Sequence, residues 1–107
     1  MKTEDLIELL QSILEEDAII SRLFTYFHLH KEYEISDLNK IIEIGITEKV
    51  FLIINVTDES IEYKRIEWSE SNTYQEVIFS NPQDYIPSLF SNPVQIPDLF
   101  LKCVKKE

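Results

Sequence analysis

Val50-Phe-Leu-Ile-Ile-Asn-Val-Thr-Asp-Glu-Ser-Ile-Glu-Tyr-Lys-Arg-Ile-Glu-Trp68 decides the fold. Its first half, Val50–Val56, is a near-continuous apolar run with β-branched and aromatic residues, the pattern of a strand covered on both faces. Such a strand belongs to the core and offers no contact surface. Thr57-Asp-Glu-Ser60 supplies a polar turn. In Ile61–Trp68 the apolar residues fall at Ile61 and Tyr63, then at Ile66 and Trp68, so the alternation slips by one at Lys64-Arg65. A β-bulge at that pair returns all four side chains to one face. Ser69–Asn72 turns again, and Thr73–Phe79 supplies a third strand with Val77 and Phe79 on one face and Tyr74 and Ile78 on the other.

Upstream of this stretch the apolar period changes from two to that of a helix. Leu6, Leu9, Leu10, Ile13 and Leu14 form one stripe, with Thr3 as N-cap and Glu4 and Asp5 at the positive end of the helix dipole. Glu15-Glu16-Asp17 puts negative charge at the wrong end, so the helix stops there. A second stripe, Ile19, Ile20, Leu23, Phe24 and Phe27, is rotated from the first by about 80° on a continuous helix, so one straight helix cannot bury both. A break with Asp17 as the second N-cap is expected; a single curved helix is the alternative. After a short extended segment at Tyr33–Ile35, Ser36–Gly45 has a Ser cap and apolar positions at Leu38, Ile41 and Ile42. Gly45, the only glycine, stands where a left-handed residue would end the helix. A strand over Ile41–Ile46 is the alternative there.

All four prolines lie downstream, in a repeat. Phe79-Ser-Asn-Pro-Gln-Asp-Tyr-Ile-Pro-Ser-Leu-Phe90 is followed by Phe90-Ser-Asn-Pro-Val-Gln-Ile-Pro-Asp-Leu-Phe100. Each copy begins with an Asn-Pro turn and ends with a proline opening a short helical turn. Asp98 caps a last helix of about two turns through Leu99, Phe100, Cys103 and Val104. The chain is thus expected to be one α+β domain. Residues 1–48 are mainly helical, 49–80 form an antiparallel meander of about three strands, and 81–107 are a Pro-punctuated segment with a short C-terminal helix.

Twenty acids against ten bases give a formal charge of −10 over 107 residues. Nucleic acid and anionic membrane surfaces are disfavoured as partners, because both are held mainly by Lys and Arg. The same field attracts a protein with a basic surface. A single cysteine cannot close an intramolecular disulfide, which suits a reducing compartment. Met1-Lys-Thr-Glu-Asp5 lacks the pattern of a signal peptide and no apolar run reaches membrane-spanning length, so a cytoplasmic location is expected, in a bacterial cell or in one that a phage has entered.

Catalytic and cofactor motifs are absent from the sequence. One glycine excludes the recognisable Gly-rich phosphate loops, one cysteine excludes a Cys-rich zinc site, and neither His-Glu-x-x-His nor Gly-x-Ser-x-Gly occurs. His28 and His30 would share a side with Glu32 and Glu34 on a strand, but fall on different faces of a helix, which favours plain surface histidines over a metal site. Cys103 reads as a small residue on the apolar side of its helix rather than as a nucleophile. A winged helix-turn-helix, with Ile46–Val56 as a helix instead of a strand and Ile61–Trp68 as the wing, fits the order of elements, but Val50-Phe-Leu-Ile-Ile lacks the polar or basic face that reading DNA requires.

The acids carry the functional expectation. Glu4, Asp5, Glu8, Glu15, Glu16 and Asp17 are expected to line the first helix away from its apolar stripe, and Asp58, Glu59, Glu62, Glu67 and Glu70 cluster on the hairpin, either as a plain solvated face or as a negative docking surface. The expected partner-binding set is Glu8, Glu15, Glu16, Asp58, Glu59, Glu62, Glu67, Trp68 and Glu70. The leading reading is a non-enzymatic inhibitor, of the immunity or anti-defence kind, that masks a basic surface of a partner protein without cofactor or metal. The alternative is a winged-helix-like regulatory or assembly subunit able to form a homodimer.

Overall fold

The computed structural model describes residues 1–15, 18–55 and 75–104. Its architecture is α+β. Helices α1 (Thr3–Leu14), α2 (Ile20–Lys31) and α3 (Ile35–Thr47) precede strands β1 (Phe51–Asn55) and β2 (Gln75–Phe79). A 3₁₀ turn (Pro82–Asp84) and the one-turn helices α4 (Ile86–Leu89) and α5 (Asp98–Leu101) follow.

The three long helices form where the apolar spacing places them. Every residue of the α1 stripe, from Leu6 to Leu14, is buried, as are Ile20, Leu23, Phe24 and Phe27 of α2 and Leu38, Ile41 and Ile42 of α3. Helices α1 and α2 are separate, as the rotation between their stripes requires; Asp17, the expected cap, lies outside the described residues, and Ile19 occupies the capping position without a side-chain bond. Thr3 is the first helical residue rather than the cap, which is Lys2.

Two expectations for α3 are corrected. The helix starts at Ile35, with Glu34 in the cap position and no bond from Ser36, and it runs past Gly45 to Thr47. Gly45 has ordinary helical backbone; the left-handed residue is Lys49, at φ 62°. Val50 N–H donates to the Gly45 carbonyl at 2.8 Å and Lys49 N–H to that of Ile46 at 3.0 Å. This is the Schellman pattern, closed by a lysine. Glycine is needed at 45 for space, because a Cβ there would overlap the ring of Phe51.

That ring is the centre of the core. Phe51 meets Phe79 edge-on at 5.1 Å between centroids and stacks on Phe100 at 5.4 Å, while Phe79 also touches Tyr85 at 4.7 Å. Strand β1 pairs antiparallel with β2 in the register Phe51↔Phe79 to Asn55↔Gln75. A meander would place these segments on either side of a middle strand, yet they are direct neighbours. The other edge of β2 is taken by the α1–α2 connection, where Val77 N–H donates to the Ala18 carbonyl at 3.0 Å. The sheet among the described residues has two strands, and the expected strand at Ile61–Trp68 lies outside them.

The Pro-rich repeat organises the remainder. Pro82 opens the 3₁₀ turn, Pro87 sits in the first turn of α4, and Pro97 precedes α5, so the two equivalent Pro-Ser-Leu and Pro-Asp-Leu segments both become helical turns. The last helix has one turn rather than two, continued by turn hydrogen bonds to Cys103 and Val104. Gln11 of α1 donates to the Leu89 carbonyl at 2.7 Å and fixes α4 against the first helix.

Candidate functional site

Two surfaces emerge from this frame. One is a polar seam where the start of α1 meets the end of α2. Asp5, expected on the solvent side, is turned inward and is 7% exposed. It accepts a 2.6 Å hydrogen bond from the Tyr33 hydroxyl and an ion pair from Lys31 at 3.5 Å. Tyr33 in turn accepts from the Lys2 N–H at 3.0 Å. Burial first, then the bond to Asp5, pushes the Tyr33 phenol above its ordinary value. A buried carboxylate is tolerable only with such partners.

Lys31 also reaches Glu8, at 3.6 Å. The Tyr26 phenol is raised first by its hydrogen bond to that same carboxylate, and Lys31 is raised first by the charge of Glu8. Glu8 is therefore half-buried in a cluster of one cation and two carboxylates rather than projecting as a lone charge. Glu15 is exposed at the C-cap of α1, with no ion pair among the described residues. Glu16, Asp58, Glu59, Glu62, Glu67, Trp68 and Glu70 lie outside the described residues. Both histidines are on α2: His28 Nδ1 is 2.8 Å from the Tyr33 carbonyl, and the His30 ring is 5.3 Å from that of Tyr26. Among the described residues no group of His, Cys, Asp and Glu is arranged to hold a metal ion.

The second surface corrects the reading of Val50–Val56. Phe51 is buried, but Leu52, Ile53 and Ile54 are 50%, 37% and 40% exposed. The reason is alternation. Phe51, Val77 and Phe79 face the helices, whereas Leu52, Ile54, Ile78 and Glu76 project from the opposite face. Ile53 shares the inner face but sits beyond the aromatic cluster. A strand expected to be core on both sides thus carries one apolar side outward.

Sequence reasoning missed both the exposed β1 face and the Asp5 network, and both left a signal. Three amphipathic helices with one stripe each can cover one face of a sheet, not two. Asp5 lies four residues before Leu9, on the edge of the buried stripe of α1. Among the described residues no helix is long and apolar enough to cross a membrane. No protein-family model, no curated protein and no solved structure matches the chain.

Proposed function

We propose that this chain is a non-enzymatic protein-binding domain, an inhibitor of the immunity or anti-defence kind, that docks on a partner with an apolar patch ringed by basic residues. The observation that carries the reading is the outward face of β1, Leu52 and Ile54, in a chain of net charge −10, followed in sequence by Asp58, Glu59, Glu62 and Glu67. Apolar centres with a charged rim are the ordinary anatomy of protein interfaces, and the rim sets approach rate and partner choice. A strand at Phe51–Asn55 leaves no place for a recognition helix there, so the alternative winged-helix arrangement loses its central element. Beads carrying the wild-type chain and the Glu59→Lys, Glu62→Lys, Glu67→Lys variant, exposed to the same source-cell lysate at low salt, test the proposal. The wild type retains a basic protein that the variant loses; equal retention by both rejects the reading.

A further inference from the structure

We propose that the cleft between α3 and the turns after α5 binds a small amphiphile with an anionic head group and a medium-length apolar tail. The cleft has a volume of about 390 Å³, inside the range of roughly 300–1,000 Å³ usual for small-molecule sites. Ile41, Ile44 and Val104 give it an apolar lining, and Lys40, Lys102 and the carboxylate of Asp37 line it as well. A more open adjoining hollow of about 340 Å³ shares both lysines and Ile44 and is lined also by Glu43 and Glu48.

The balance of these groups chooses the ligand. The lining of the cleft carries the Met1 amino group, Lys40 and Lys102 against the single carboxylate of Asp37, and Glu43 and Glu48 line only the adjoining hollow, so an anionic head meets Lys40 and Lys102 while its tail packs on Ile41, Ile44 and Val104. Lys40 is held loosely, 4.0 Å from Asp37 on the same helix. Lys102 has no ion-pair partner among the described residues. Only ten bases serve the whole chain, and two of them converge here. A cationic amphiphile would set its charge against both. The N-terminal nitrogen of Met1 donates to the Cys103 carbonyl at 3.1 Å, and both residues line the cleft. This site is independent of the β1 face and of the acids that carry the proposed function.

Titration of the ¹⁵N-labelled full chain with decanoate below its micelle concentration tests the proposal, with decyltrimethylammonium as the cationic control. Decanoate gives saturable amide shifts confined to residues 37–44 and 102–104, the ammonium compound does not, and Lys102→Gln weakens decanoate by about tenfold while its spectrum stays folded. No saturable shift, shifts centred elsewhere, equal binding of the cation, or unchanged affinity in Lys102→Gln would each overturn it.

Discussion

Phe51 and Gly45 act as one unit. The ring occupies the space in which a Cβ at 45 would stand, and it contacts Phe79 and Phe100 besides. Gly45→Ala should therefore destabilise the chain by about 1–3 kcal/mol, through overpacking rather than loss of turn geometry. A double variant with Phe51→Leu should cost less than the sum of the two single changes, measured by urea unfolding. If Gly45 were a turn glycine, the two costs would add. Tyr33 gives a second prediction at this scale. Its phenol is raised in the folded chain, so the stability it contributes is complete below the ordinary phenol value and is lost as pH rises through the folded one. Tyr26 and Tyr85 are raised as well, so alkaline destabilisation persists in part without Tyr33. Tyr33→Phe should lower stability at neutral pH by about 1–3 kcal/mol, by leaving Asp5 short of a donor, and should flatten the alkaline loss. An unchanged alkaline slope would contradict this account.

At the scale of elements, β1 is buried on one side and open on the other. Leu52→Lys with Ile54→Lys should leave unfolding free energy within about 0.5 kcal/mol for each change, because neither side chain is in the core. The same pair should abolish retention of the partner. Phe51→Ala, one residue away, should cost about 3–5 kcal/mol. This contrast also measures what the sequence made legible. The three helices were readable because each buries a single stripe, and Val77 and Phe79 were readable as the inner side of their strand. The outward side of Phe51–Asn55 was not, because a run of five residues with four apolar side chains carries no internal sign of which face is covered. That depends on how many layers the rest of the chain can supply. The end of α3 misled for a related reason: glycine signals a left-handed turn locally, but here a ring from the following strand requires it and Lys49 makes the turn.

For the whole molecule the deciding quantities are the charge of −10 and the apolar side of the sheet. Charge repulsion between copies works against self-association, while a basic partner gains attraction over long range and burial at contact. The acids between Thr57 and Glu70 could be nominated as candidates from their clustering in sequence, whereas the pairing of Glu8 with Lys31 could not, since it depends on the crossing of α1 and α2. The central claim is that charge draws the partner in and the apolar strand holds it. The direct test is the dissociation constant of the complex with the retained partner, measured as salt rises from about 50 mM to about 300 mM; the account predicts weakening by about tenfold or more, carried mainly by slower association. A constant that does not change with salt would contradict it.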